Sequence, residues 1–140
     1  MHDIIDPMND MYREEILEHY REPQNFGTLN HCSISSKQTN PLCGDEIEMF
    51  IEFDLKSAGA HTKTPQGCKA RVEDIRFIGR GCAISIASAS LLTEFAKGKT
   101  KSQLTKFSEE DMLGLLGIDV SESRKKCALL GLYVLKDCLQ

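Results

Sequence analysis

Residues 46–54, with the sequence EIEMFIEFD, place an apolar side chain at every second position. Ile47, Met49, Ile51 and Phe53 fall on one side of an extended chain, because successive side chains of a strand point to opposite faces. The positions between them are mostly acidic. This alternation is typical of an antiparallel sheet that packs one face on a core and leaves the other in water. We therefore predict a strand here.

The flanking sequence predicts two more strands and four helices. The predicted strands are 33–38 and 72–78, a connecting loop covers 55–69, and the predicted helices are 9–21, 83–97, 108–116 and a last helix from Ser121 or Ser123 to the end. Gly98 is placed to end the second helix as a left-handed cap, and the spacing of Ser108 and Asp111 resembles a helix start. This order predicts an α+β fold, with a small three-stranded antiparallel sheet and helices packed on one face, in a single domain over residues 1–140.

Spacing and capping residues also predict buried positions. Asn9 or Asp10 can cap the first helix, in which Tyr12, Ile16 and Tyr20 share one stripe. Ile75 and Phe77 are the expected inward residues of strand 72–78. On the last helix, Cys127, Leu130, Val134 and Cys138 share one stripe at helical spacing.

The composition excludes several classes of protein. The chain has 140 residues and a formal net charge of −4, so it carries no basic footprint for nucleic acid. No apolar run is long enough to span a bilayer, and the acidic start MHDIIDPMND does not read as a secretory signal. We expect a cytoplasmic protein, monomeric or weakly homo-oligomeric, with no membrane or nucleic-acid partner.

The cysteine content points to metal or thiol chemistry. Six cysteines are many for a cytoplasmic chain of this length, and reducing conditions disfavour disulfides. No C-x-x-C pair occurs, so the ligands of a metal site would have to come from distant parts of the chain. The cysteines occupy positions 32, 43, 68, 82, 127 and 138.

The segment 40–45, NPLCGD, places a thiol and a carboxylate two residues apart, just before the first predicted strand. Gly44 allows the chain to bend sharply, so that Cys43 and Asp45 could both point at one centre. The alternative is an ordinary turn in which Asp45 caps a backbone amide and Cys43 fills space.

The segment 79–85, GRGCAIS, joins a predicted strand to a predicted helix. Cys82 lies near the N-terminus of that helix, where partial positive charge lowers a thiol pKa and favours the metal-binding thiolate. Gly79 and Gly81 free the backbone, which leaves an anion cradle as an alternative. No Lys-Ser/Thr pair of a phosphate-binding loop follows.

The segment 123–127, SRKKC, opens the last predicted helix. Its three adjacent cations would favour the thiolate form of Cys127, which could bind metal or attack a sulfur donor. The alternative is a solvated basic patch beside a buried cysteine.

Together, Cys43, Asp45, Cys82 and Cys127 make a four-coordinate set suited to zinc or iron. Cys138 is expected in the core, and Cys32 and Cys68 are expected in polar loops. The four histidines, His2, His19, His31 and His61, are scattered and are expected at the surface.

Four segments resemble the U-type iron–sulfur cluster assembly scaffolds, the family of IscU, SufU and the N-terminal domain of NifU. They are residues 12–27 (YREEILEHYREPQNFG), 40–45 (NPLCGD), 81–99 (GCAISIASASLLTEFAKGK) and 126–127 with the helix that follows. The resemblance covers nearly the whole chain, and the combination of NPxCGD with GCxxSxASxS is far more specific than a single short motif.

The resemblance implies a SufE/NifU-like fold and a scaffold or carrier function rather than an enzyme. Members receive sulfur from a cysteine desulfurase, assemble a cluster, usually [2Fe–2S] with [4Fe–4S] as the alternative, and pass it to apo iron–sulfur proteins. By similarity, Cys43, Asp45, Cys82 and Cys127 are the ligand positions. A carboxylate is a harder and weaker iron ligand than a thiolate, so the cluster is expected to be labile enough to transfer.

The resemblance also implies a second function, because related scaffolds bind zinc at the same positions. In a zinc-dependent sulfurtransferase partner, Cys127 or Cys43 would accept a persulfide from the desulfurase. Lys126 stands where IscU-type members carry His. It is expected to lie beside the site as a weak ligand or none, and its charge would stabilise an anionic cluster. Residues 98–122 are shorter than the SufU-type insertion, while the hairpin around 56–69 is long. Both branches stay open.

Overall fold

The computed structural model describes residues 7–41, 44–54 and 70–140, with side chains from residue 13 onward. Within these ranges the chain forms three strands and five helices. In chain order they are α1 (Pro7–Arg21), β1 (Ile34–Asn40), β2 (Asp45–Asp54), β3 (Arg71–Arg80), α2 (Ala83–Ala96), α3 (Lys101–Thr105), α4 (Glu109–Leu116) and α5 (Glu122–Cys138).

The strands form one antiparallel sheet in the order β1-β2-β3, with β2 in the centre. Helices α2 and α5 pack on this sheet and on each other, and α1 packs on α2. The predicted α+β fold with a three-stranded antiparallel sheet is confirmed.

The alternation along β2 is the one that its sequence predicts. Ile47, Met49 and Ile51 are 0% exposed, and the residues between them are partly exposed. The inward positions predicted for β3, Ile75 and Phe77, are also fully buried. Each such side chain contributes about 1.5–3 kcal/mol when it leaves water, so the sheet is held to the helices mainly by this apolar face.

Helices α2 and α5 approach each other closely at Gly131. A Cβ placed there would lie 3.4 Å from the Cα of Ala89 and 3.4 Å from the Cε of Met49. The small residue therefore lets the two helices and the central strand meet. The stripe predicted for the last helix is confirmed, since its four members, Cys127, Leu130, Val134 and Cys138, are all buried.

The outer edge of β3 is covered by two irregular segments. Near its middle, Gly27 donates a hydrogen bond to the carbonyl of Phe77, and the Phe77 N–H donates to the carbonyl of Asn25, at 2.8 and 3.0 Å. At its start, the N–H of Val72 donates to the carbonyl of Lys99 at 2.9 Å. The edge-on contact of the Phe26 and Phe77 rings, 5.3 Å between centroids, adds to the first cover.

Several boundaries differ from the sequence-based expectation. Helix α1 begins at Pro7 rather than at residue 9, because proline is well suited to the first helical turn. Its stripe is incomplete, because Ile16 is buried whereas Tyr20 is 44% exposed, and the side chain of Tyr12 lies outside the described residues. Helix α3 was not predicted, although Thr100 and Gln103 form the reciprocal capping pair that starts it.

The other helix ends follow the predicted signals. Ser108 and Asp111 form a capping box at α4, and α5 starts directly after Ser121. Gly98 adopts the left-handed conformation, with φ of 78°, just after α2. The predicted loop 55–69 lies outside the described residues. None of the described helices has the length and apolar character needed to cross a membrane.

Candidate metal centre

Three of the predicted ligands meet at one end of the sheet. Asp45 is the first residue of β2, Cys82 is the N-cap of α2, and Cys127 lies in the second turn of α5. One potential ligand atom of each, a carboxylate oxygen and two sulfurs, lies within 4.8 Å of the others. Cys43, the fourth predicted ligand, lies outside the described residues.

The strand register explains why Asp45 reaches this point. Asn40 pairs with Asp45 across β1 and β2, and the N–H of Gly44 donates to the carbonyl of Asn40 at 2.8 Å. Gly44 has a φ of 72°, the left-handed conformation that glycine adopts at little cost. On the other side of β2, Glu46 pairs with Arg80, so the register brings Asp45 beside the segment that leads into α2.

The Asp45 carboxylate is only half satisfied by the protein. Asp45 is 1% exposed, and its Oδ1 accepts a hydrogen bond from the backbone N–H of Cys82 at 3.2 Å. Its Oδ2 is buried and has no hydrogen-bond partner in the described part of the chain. A buried carboxylate oxygen without a partner is costly, and a cation bound beside it would remove that cost.

Cys82 has an environment that favours its ionised form. Burial raises the pKa of the thiol, but the backbone N–H and hydroxyl of Ser85 and the thiol of Cys127 outweigh burial and the charge of Asp45. The pKa is therefore lowered from its ordinary value of 9.0. The thiolate, which is the metal-binding form, is stabilised at this helix N-terminus as predicted.

Cys127 is fully buried, and its flanking cations do not all act on it. Lys125 forms an ion pair with Glu122 at 2.7 Å, so its charge is largely compensated. Arg124 and Lys126 are exposed. Neither Arg124 nor Lys126 has an ion pair in the described ranges, so two of the three adjacent cations, and not all three, carry uncompensated charge.

The two glycines before Cys82 serve close packing rather than backbone freedom. Neither Gly79 nor Gly81 is in the left-handed region. A Cβ on Gly79 would collide with the carbonyl oxygen of Glu46, and a Cβ on Gly81 would lie 2.5 Å from Oδ1 of Asp45.

Ser85 belongs to the site although no role for it was predicted. It is fully buried, its hydroxyl donates to the carbonyl of Cys82 at 3.0 Å, and its Oγ lies 3.8 Å from the Cys82 sulfur. The signal in the sequence is the spacing of three residues from Cys82, at which a hydroxyl or amide in the first helical turn faces the N-cap residue.

The remaining cysteines and histidines lie outside the cluster or outside the described ranges. Cys138 is a core residue, 2% exposed, and burial with the nearby Asp137 and Cys32 raises the pKa of its thiol to about 12. Cys32 is half-buried, and none of the four described cysteines, Cys32, Cys82, Cys127 and Cys138, forms a disulfide with another described residue. His31 is exposed as expected, but His19 is partly buried, and its Nδ1 lies 2.6 Å from the hydroxyl of Ser90. Cys68, His2 and His61 lie outside the described residues.

The donor set fits a metal ion or a metal cluster as cargo. Two sulfurs and one carboxylate oxygen combine soft and hard ligands, a combination compatible with zinc and with iron. The three donors lie within 4.8 Å of one another, and one carboxylate oxygen has no other described partner.

The fold and this cluster define a small α+β protein with a thiol–carboxylate centre at the end of its sheet. The profile of the NifU-like N-terminal domain matches residues 11–140, and the chain belongs to that family. The family resemblance predicted from the sequence is thereby confirmed.

Individual relatives agree with this membership. The chain is 34% identical to the zinc-dependent sulfurtransferase SufU of Bacillus subtilis, over 88% of this chain and 85% of that protein. It is 31% identical to the iron–sulfur cluster assembly scaffold protein IscU 1 of Archaeoglobus fulgidus, over 76% of this chain but only 61% of the relative's length. Among solved structures, the SufU protein of Fervidobacterium islandicum has the same fold, with a TM-score of 0.72 at 24% identity over 91% of this chain and 95% of that one.

Proposed function

We propose that this chain is an iron–sulfur cluster assembly scaffold, which receives iron and sulfide, holds the nascent cluster as cargo and releases it to apo-proteins. The observation that carries the proposal is the convergence of Asp45, Cys82 and Cys127, with their donor atoms within 4.8 Å and one carboxylate oxygen left without a described hydrogen-bond partner. Relatives named as scaffold proteins support it.

Cys43 is proposed as the fourth ligand on the basis of connectivity. Two residues of chain span at most about 7 Å, so a thiol at position 43 is tethered within reach of the centre that Asp45 faces. The four ligands would then be Cys43, Asp45, Cys82 and Cys127.

The residues of the chain have separate tasks in this proposal. Cys82 supplies a thiolate that Ser85 already stabilises before metal arrives. Asp45 supplies an oxygen that binds iron less tightly than sulfur does, which keeps the cargo exchangeable. Lys126 supplies uncompensated positive charge next to Cys127, and this charge would offset the negative charge of a thiolate-bound cluster.

Anaerobic reconstitution tests the scaffold proposal. Ferrous iron with sulfide, or with a cysteine desulfurase and cysteine, should give sulfur-to-iron charge-transfer absorption, and the cluster should pass to an apo-ferredoxin. Cys82→Ala and Cys127→Ala should abolish the absorption. Cys32→Ala removes a thiol that is not among the grouped donor residues, so this variant should retain the absorption. A wild-type protein that never acquires colour would refute the scaffold function.

A second function, acceptance of sulfur from a cysteine desulfurase with zinc at the same ligands, is favoured by the name of the Bacillus subtilis relative. In this reaction a thiolate attacks the outer sulfur of the desulfurase persulfide, the sulfur–sulfur bond breaks, and the desulfurase thiolate leaves. Cys127 is 0% exposed, so it would have to move before it could attack, whereas Cys82 is partly exposed.

Metal content and kinetics separate the two functions. A zinc-dependent acceptor should hold one zinc ion per chain after aerobic purification and should raise the turnover of a cysteine desulfurase severalfold. A protein that forms and transfers a cluster but leaves the desulfurase rate unchanged would be a scaffold only.

A further inference from the structure

Gly81 lies between two polar groups of the candidate metal centre. A Cβ built on it would collide with the hydroxyl of Ser85 and would lie 2.5 Å from Oδ1 and 2.9 Å from Cγ of Asp45. A real Cβ does not approach other atoms this closely, so any side chain at position 81 must displace the carboxylate, the hydroxyl or both. The absence of a side chain is therefore what leaves room for them.

The position of the Asp45 carboxylate depends on this space. With Gly81, Oδ1 comes within 3.2 Å of the Cys82 N–H, and Oδ2 stays buried and unpartnered among the described residues. The same carboxylate offers an oxygen within 4.8 Å of the sulfurs of Cys82 and Cys127. Displacement of the carboxylate by a methyl group would disturb the hydrogen bond and the donor geometry together.

We propose that Gly81 is a positioning residue of the metal centre. It admits the Asp45 carboxylate to the N-terminus of α2 in an orientation that binds the Cys82 N–H with one oxygen and leaves the other for a metal ion. The part that concerns metal rests on the proposed function, whereas the part that concerns the hydrogen bond does not.

Backbone conformation does not account for the glycine. The left-handed glycines in the described ranges are Gly27, Gly44, Gly98 and Gly117, and Gly81 is not among them. Alanine at position 81 therefore carries no penalty for a left-handed backbone, and its effect would come from the contacts of the added methyl group. Gly81→Ala therefore probes the two contacts of this methyl group, and comparison with the Asp45→Ala background separates the carboxylate from the Ser85 hydroxyl.

Gly114→Ala is the matched control. Gly114 lies in helix α4, is not left-handed and has nothing within 4 Å of an added Cβ. The set of proteins for the experiment is the wild type, Gly81→Ala, Gly114→Ala, Asp45→Ala and the double variant Gly81→Ala/Asp45→Ala.

The first measurement uses the metal-free protein. Amide hydrogen exchange at Cys82, followed by NMR, should be faster in Gly81→Ala than in the wild type, because the acceptor Oδ1 is displaced. Gly114→Ala should leave it unchanged. Unchanged exchange at Cys82 in a folded Gly81→Ala protein would overturn the proposal whether or not the site binds metal.

The second measurement is a Co²⁺ titration followed by sulfur-to-cobalt charge-transfer absorption. Gly81→Ala should weaken Co²⁺ binding about 10- to 100-fold, the range expected when a group that orients a ligand is lost. In the Asp45→Ala background the added methyl group should have a much smaller effect, since the carboxylate is gone and only the contact with the Ser85 hydroxyl remains. Additive losses in the double variant would show that Gly81 acts independently of Asp45 and would overturn the proposal.

The double variant also covers the case in which Gly81→Ala does not fold. It should then recover the folded circular dichroism spectrum of Asp45→Ala, because the space of the carboxylate becomes available to the methyl group and only the contact with the Ser85 hydroxyl remains. A double variant that stays unfolded would overturn the proposal. A wild-type protein without thiolate-bound Co²⁺ would instead refute the metal site, while the exchange at Cys82 still tests the role of Gly81.

Discussion

The backbone N–H of Cys82 donates to one carboxylate oxygen of Asp45 at 3.2 Å, while the other oxygen of the same carboxylate is buried without a described hydrogen-bond partner. One helix N-terminus thus holds the carboxylate, and the carboxylate presents a free oxygen to the same small volume as two thiols. The arrangement places one oxygen donor beside two sulfur donors. Single substitutions can therefore change the ratio of oxygen to sulfur ligands.

Asp45→Cys should lengthen the life of a reconstituted cluster severalfold, because thiolate binds iron more tightly than carboxylate does. The decay of charge-transfer absorption after addition of an iron chelator measures this lifetime. Asp119→Cys adds a thiol at an exposed position that is not one of the three grouped donors, and its iron–sulfur cluster should decay as that of the wild type does. Equal lifetimes for wild type and Asp45→Cys would argue against Asp45 as a ligand.

Cys138 should stabilise the fold less at alkaline pH. Burial raises the pKa of its thiol to about 12, above the ordinary value of 9.0, so the folded state holds this proton more tightly than the unfolded state. This contribution is fully present below pH 9 and is lost as the pH rises toward 12. The difference in free energy of unfolding between wild type and Cys138→Ala should fall by about 1 kcal/mol from pH 8 to pH 10.

Urea unfolding at the two pH values tests this, with Val134→Ala as the control. Val134 is fully buried on the same helix and carries no proton, so its substitution should cost the same at both values. A wild-type to Cys138→Ala difference that is independent of pH would contradict the prediction.

Two glycines of the helices should respond to substitution with opposite signs. Gly114→Ala should stabilise the protein by about 0.5–1 kcal/mol, because the site is open and glycine is a poor helix former. Gly131→Val should destabilise it by about 1–3 kcal/mol. A Cβ added at position 131 would already contact Ala89 and Met49, so the two methyl groups of valine have no space. Denaturant midpoints at constant slope measure both, and a stable Gly131→Val protein would show that α2 and α5 can separate.

The serines that start α4 and α5 should differ in their value to the fold. Ser108 forms a capping box with Asp111, so Ser108→Ala should cost about 1 kcal/mol. Ser121 makes no side-chain capping bond, and its hydroxyl lies 3.1 Å from that of Ser123 instead. Ser121→Ala should therefore cost less than half as much in thermal unfolding, and equal costs would contradict the capping assignment.

Local signals in the sequence account for most of the fold. The alternation along β2, the capping pair of α4 and the left-handed Gly98 each follow from neighbouring residues, and each is found as predicted. The unpredicted helix α3 also carried a local signal, the Thr100–Gln103 pair. The start of α1 at Pro7 is likewise a local effect.

The geometry of the candidate site could not be obtained in this way. Which side chain meets Asp45 depends on the register that pairs Glu46 with Arg80, and register is set by the whole sheet. The role of Gly81 is visible only once Asp45 and Ser85 are in place on either side of it. The ion pair between Lys125 and Glu122 likewise depends on side-chain orientation within α5, so the available charge beside Cys127 could not be counted from the sequence.

The two segments that cover the outer edge of β3 affect how copies of this chain can associate. Since Asn25, Gly27 and Lys99 already occupy backbone groups of β3, another copy of the chain cannot extend the sheet there by strand addition without first displacing them. Intermolecular β-pairing, a common start of aggregation, is thus obstructed on the strand that leads directly into Cys82. The outer flank of β3 is therefore closed to strand addition by other copies of this chain.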